Sequence, residues 1–185
     1  MAITAQDVKQ LKELTNCGMM DCKRALEETN GDVDAAIKYL REKGLAKVAK
    51  KSGRIAAEGL VYAKVDEAKK IGAVVEINVE TDFAAKTERF IEFVEMVAQA
   101  VIDNDVADVD ALKEVVPAGE SEKIGDILNE RIATIGENIQ IRRFARIEGG
   151  KGIANASYVH MGGKIGVMVT MEVAEGFEKN DEILA

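Results

Sequence analysis

Between Ile71 and Val79 the apolar residues fall on every second position, and from Phe83 the spacing becomes helical, through Thr87, Phe90, Val94, Val97 and Val101. The change of period falls at Thr81. The prediction is a strand feeding directly into one long helix. Thr81 is its N-cap, and Asp82 adds negative charge where the helix dipole favours it. An acid and an aromatic then sit on the first turn of a rigid helix, where both can project at a partner. Taken alone, however, the periodicity puts Phe83 on one ladder with Phe90 and Val94. On that reading it is a core residue and Asp82 only a dipole partner.

The same patterning divides the chain on either side. Thr4 with Asp7 three residues on opens a helix whose stripe is Val8, Leu11 and Leu14, ending near Asn16 to Gly18. A second helix runs from about Met20 to Thr29 and is ended by Asn30-Gly31. Asp32 caps a third, with Val33, Ala36, Ile37 and Leu40, expected to stop at Gly44. Three short helices on tight turns make a bundle of the ubiquitin-associated (UBA-like) type, a kind that binds proteins through a loop and a helix end. Adjacent Met19 and Met20 cannot both face one narrow core, so at least one is expected outside, although a half-buried methionine closing the bundle fits the spacing as well.

Leu45 to Arg54 concentrates Lys47, Lys50, Lys51 and Arg54 with no acid among them. A solvated linker helix is the plain reading, and docking to an acidic protein or RNA phosphate the alternative. Glu58 to Val65 alternates as a strand, Asp66 to Lys70 turns the chain, and Ile71 to Glu80 returns antiparallel. After the long helix, which reaches about Ile102, come a short helix over Val109 to Val115 that ends before Pro117 and an amphipathic one on Ile124, Ile127, Leu128, Ile132 and Ile135. Ile139 to Ile147 reads as a strand able to join the first hairpin. Gly149 to Gly152 is a loose connection, and Ile153 to His160 with Ile165 to Val173 forms a second hairpin around Met161 to Lys164. Phe177 to Ala185 looks like the start of a helix. A hairpin without helices to cover it leaves an apolar face bare, which points to a cover supplied by more chain or by another chain.

The fold class expected is α+β: a UBA-like bundle over 1–45, a basic linker helix over 46–57, an antiparallel sheet covered by helices over 58–148, and an incomplete hairpin region over 149–185 that begins a second core subdomain.

Composition narrows the function. With 185 residues the chain can bury a real core without staples. Its 25 basic and 33 acidic residues give a net charge of -8, against a general DNA or RNA binder, whose affinity rests on neutralising phosphates. No apolar run of about 18 residues suits a membrane and the N-terminus lacks an export pattern, so a cytoplasmic protein is expected. Cys17 and Cys22 are the only thiols and His160 the only histidine. That spacing is no zinc site and no disulfide framework. No nucleophile with its base can be assembled, so no catalytic residue, metal ligand or cofactor is assigned and no enzyme is expected.

The stretch Leu11-Lys12-Glu13-Leu14-Thr15-Asn16-Cys17-Gly18-Met19-Met20-Asp21-Cys22-Lys23-Arg24-Ala25-Leu26 resembles Leu-Arg-x-x-Thr-Gly-Ala-Gly-Met-Met-Asp-Cys-Lys-Lys-Ala-Leu of bacterial elongation factor Ts. Glu76 to Lys86 resembles the same family's Glu-(apolar)-Asn-x-(Glu/Gln)-Thr-Asp-Phe-Val-Ala-(Lys/Arg). Gly136-Glu137-Asn138-Ile139 with Arg142-Arg143, and Tyr158-Val159-His160 through Val167, are similar to further family segments. The matches keep family order along essentially the whole chain.

Lys12 stands where the family has Arg, keeping charge without the planar fork. Ala84 replaces Val behind Phe83. The resemblance ends inside the first elements of the family's second core half, so either part of a longer protein or a short form is expected.

The resemblance implies a translation elongation factor that exchanges guanine nucleotide on elongation factor Tu, in its GDP-bound and nucleotide-free forms. By it, Thr81, Asp82, Phe83 and Ala84 insert beside the magnesium site of that partner, and Lys12, Met19 and Met20 form the docking surface of the bundle. It also implies that Phe83 is exposed, that His160 is a further contact, and, from short family members, a homodimer. An adaptor binding through the bundle, or an RNA binder working through Lys47 to Arg54, are the competing readings.

Overall fold

The computed structural model describes residues 3–15, 17–149 and 153–172. The fold is mixed α+β, with helices first and antiparallel sheets with helices after them. By contacts the chain forms two compact units, Met1–Arg54 with Asn129–Asn138, and Ile55–Leu128 with Ile139–Ala185.

The first unit holds α1 (Ala5–Thr15), α2 (Met19–Glu28) and α3 (Val33–Lys51). Thr4 and Asp7 cap α1 reciprocally: the Thr4 N–H donates to the Asp7 carboxylate at 2.8 Å and the Asp7 N–H to the Thr4 hydroxyl at 3.2 Å. The Thr4 amide and hydroxyl both donate to that carboxylate and lower its pKa. Asn30 takes a left-handed φ of 54° and the Gly31 N–H closes on the Leu26 carbonyl at 2.8 Å, ending α2. Asp32 caps α3 by accepting from the Ala35 N–H at 3.0 Å. Val8, Leu11, Cys22, Ala25, Leu26, Ala36 and Leu40 form the core. Leu14, expected on the same stripe, is exposed.

A second difference concerns α3, which runs through Gly44 instead of stopping there and reaches 19 residues. A mid-helix glycine costs only about 0.5–1 kcal/mol, and the flanking Glu42, Lys43, Leu45, Ala46 and Lys47 are good helix formers. The basic segment is thus the second half of a helix.

The second unit is built on β1 (Glu58–Asp66), β2 (Ile71–Val79) and β3 (Ile139–Glu148), antiparallel in that spatial order. The set Ala73, Val75, Ile77 and Val79 is fully buried, on the face that carries Tyr62 and Lys64 of β1. Lys64 reaches Gln99 of α5 (Glu88–Asp103) at 2.8 Å on that face, so α5 lies over it with Phe90, Phe93, Val94 and Val97 inward. On the opposite face lies the hairpin of β4 (Ile153–His160) and β5 (Ile165–Glu172). There Gly72 leaves room for the Met168 side chain and Gly166 for Val61. The register of β2 with β3 slips between Glu76 and Ile77, a bulge that leaves Arg142 unpaired. Both Arg143 (2.6 Å) and Arg142 (3.7 Å) then reach Glu76. A short α6 (Val109–Lys113) and α7 (Ile124–Ile135) complete the described helices. Asn16, Gly150 to Gly152 and the expected helix start at Phe177 to Ala185 lie outside the described residues.

Candidate functional site

The expected long helix after Thr81 is broken. A four-residue helix, α4 (Asp82–Ala85), is followed by a corner at Lys86 and Thr87, and α5 starts afresh at Glu88. At the corner the N–H groups of Lys86 and Thr87 donate to the carbonyls of Phe83 and Ala84 at 3.2 and 3.1 Å, in the tighter i to i+3 pattern. The Thr87 hydroxyl donates to the same Ala84 carbonyl at 2.7 Å. The corner resets the helical phase, so Phe83 does not share the inward ladder of Phe90 and Val94.

The consequence is visible in exposure. Phe83 is 80% exposed, while Ala84 and Ala85 beside it are buried at 6% and 3%. Thr81 caps the turn, its hydroxyl accepting from the Ala84 N–H at 3.2 Å. The buried alanines and the cap anchor the turn, and the ring projects from it.

Asp82 accepts from the Lys86 ammonium at 2.7 Å, an i, i+4 pair. That hydrogen bond chiefly holds its carboxyl below the ordinary value of 3.8, against desolvation, which ranks next and raises it, with the charges of Lys86 and Lys164 adding to the lowering. Lys164, on the β4–β5 turn, pairs with Glu58, which stands opposite Val79 at the end of β2. The Val61 N–H also donates to the Gly163 carbonyl at 2.7 Å. The β4–β5 turn is therefore tied to the end of the sheet from which α4 leaves. His160 at this turn is exposed, its Nδ1 2.8 Å from the Tyr158 hydroxyl and the two rings stacked at 5.7 Å. Sequence reasoning did not anticipate Lys86 or Lys164 here. The Asp82 to Lys86 spacing signalled the first, whereas nothing signalled a pair separated by 106 residues.

In the first unit Met19 and Met20 are 51% and 66% exposed, so both lie outside the core and neither closes it. They occupy the first turn of α2, whose inward positions begin at Cys22. Lys12 is exposed in the last turn of α1. Of the basic segment, Lys47 pairs with Asp21 at 2.9 Å and Lys51 donates to the Ile132 carbonyl at 3.2 Å, so two of its cations are engaged within the unit.

Among the described residues no three His, Cys, Asp or Glu side chains gather as a metal site. None of the helices there is long and apolar enough to cross a membrane.

Residues 80–182 match the family described as Elongation factor TS. The chain is also similar to curated proteins named Elongation factor Ts. Identity is 46% with that of Halothermothrix orenii over 93% of this chain and 57% of the relative. It is 50% with that of Clostridium perfringens strain 13 over 91% and 55%, and 48% with that of Clostridium tetani over 99% and 59%. The chain thus spans little more than half the length of the relatives it matches.

Proposed function

From the premise that the chain belongs to the elongation factor Ts family, we propose that it is a translation elongation factor acting in the cytoplasm as a guanine-nucleotide exchange factor on elongation factor Tu. The observation that carries this reading is the solvent-facing ring of Phe83 on an anchored turn. An apolar ring held 80% in water costs free energy that docking into an apolar pocket recovers.

The proposed mechanism changes no covalent bond. In the partner, magnesium bridges nucleotide phosphates to the G domain and keeps few protein ligands. Phe83, wedged between elements of that domain with Thr81, Asp82 and Ala84 around it, displaces those ligands, and the ion and GDP loosen together. Lys12, Met19 and Met20 dock the bundle on the same partner, and His160 contributes a further contact. Linkage makes the effect reciprocal: incoming nucleotide weakens the exchange factor's own affinity by the same factor, and a coupling of about 3 kcal/mol is over a hundredfold. Because the cycle ends with the factor released, it binds both the GDP-bound and the nucleotide-free partner.

A second copy of the chain is a further proposed partner. What supports it is the exposed apolar side of the β4–β5 hairpin, with Tyr158, Ile165, Val167 and Val169. Sedimentation velocity that finds only monomer at roughly 100 μM, where even weak homodimers populate, removes this part alone.

The test of exchange is release of fluorescently labelled GDP from purified elongation factor Tu. The chain is expected to accelerate it, and an unchanged rate removes exchange as its activity. Binding without acceleration favours the adaptor reading instead.

A further inference from the structure

The first unit contains a cleft of about 210 Å³ whose walls include Gly18 and Arg24 from the α2 segment and Tyr39, Lys43 and Lys47 from α3. Three cations line it against a single carboxylate, Asp21, in a chain of net charge -8. That carboxylate is already committed to Lys47 at 2.9 Å. The Lys43 ammonium sits 4.5 Å from the centre of the Tyr39 ring. Arg24 makes no ion pair among the described residues. Two cations are thus held in place and one guanidinium is available. Gly18, the N-cap of α2, supplies no side-chain cap, and the first turn of this ten-residue helix, which carries Asp21, forms part of the same wall. Cys17 also lines the cleft, and burial raises its thiol pKa, so it brings no second negative charge.

We propose that this cleft binds a small oxyanion of the phosphate class, either free phosphate or the terminal group of a small phosphomonoester. An arginine fork, lysine point charges and a helix N-terminus are the groups that recognise such an anion. Pre-positioning of Lys43 and Lys47 lowers the ordering cost of binding. The volume admits one such group with part of its substituent. The cleft belongs to the first unit and Phe83 to the second, and the inference does not rest on the exchange reading.

The test is a two-dimensional amide NMR titration of the full chain with inorganic phosphate and, separately, glycerol 3-phosphate, each against sodium chloride at matched ionic strength. Saturable shifts are expected at Gly18 to Asp21 and at the Arg24 side chain. Saturation with both probes assigns the phosphate group as what is read, and with inorganic phosphate alone the free ion. Arg24→Gln and Lys43→Gln are each expected to weaken binding about fivefold to tenfold, while Lys9→Gln on exposed α1 leaves it unchanged. All three replace exposed side chains, so a preserved spectrum confirms folding. Shifts that track chloride, or that persist unaltered in Arg24→Gln, overturn the proposal.

Discussion

The Thr87 hydroxyl donates to the Ala84 carbonyl at 2.7 Å, and this bond lies at the corner where a one-turn helix gives way to a long one. Had the helix continued, Phe83 would have lain on the same stripe as Phe90, beneath α5. With the corner in place Phe90 is fully buried and Phe83 faces solvent, although the two are seven residues apart.

Stability should separate these two rings. Phe83→Ala removes an exposed side chain and should change unfolding free energy by no more than about 0.5 kcal/mol. Phe90→Ala should cost roughly 3–5 kcal/mol. Urea denaturation followed by circular dichroism measures both, and equal losses would mean that Phe83 is packed in solution.

Thr81→Ala removes the cap of α4 and should destabilise the second unit by about 1 kcal/mol, with Thr81→Asn retaining most of that stability. Hydrogen exchange at the Ala84 amide reports the cap directly, since that N–H is its donor. Unaltered protection in Thr81→Ala would show that the cap contributes nothing.

Asp82 should show a definite pH response. Its folded-state pKa lies below the ordinary value of 3.8 because Lys86 hydrogen-bonds the ionised form. The unfolded chain therefore binds the proton more readily. The stabilisation is full above the unfolded pKa and is lost as pH falls through the lowered folded one. A carboxyl-carbon NMR titration should find the Asp82 pKa rising toward its ordinary value in Lys86→Gln, and rising less in Lys164→Gln. No change in Lys86→Gln would contradict the assigned cause.

Gly59 has φ of 139°, and a Cβ there would fall 2.1 Å from the Ile77 carbonyl oxygen on the neighbouring strand. Backbone has nowhere to retreat, so Gly59→Ala should destabilise the sheet by more than about 2 kcal/mol. Gly72→Ala meets only the mobile end of Met168 and should cost less. Thermal melts of the two variants check the order.

Much of this architecture could be read from residue pattern. The five strands among the described residues lie where alternation placed them, and the caps at Thr4, Asp32 and Thr81 use the side chains expected. The corner after Ala85 was hidden because Thr87 and Phe90 keep helical spacing from Phe83, so a broken helix and a continuous one give the same ladder. Glu88 following Thr87 was the available hint of a second start. Gly44 misled in the opposite direction, since glycine ends a helix when it adopts a left-handed φ and here it does not. The exposure of Phe83 was left open by periodicity and followed only from family resemblance. The Lys164–Glu58 pair, spanning 106 residues, had no local signature.

The most direct measurement is stopped-flow release of labelled GDP from elongation factor Tu by the wild-type chain and by Phe83→Ala, with affinity for the nucleotide-free partner measured alongside. Wild type is expected to accelerate release and Phe83→Ala to lose at least about tenfold of that acceleration, roughly 1.4 kcal/mol of coupling, while still folding and binding. A Phe83→Ala chain that releases GDP as fast as wild type would contradict this.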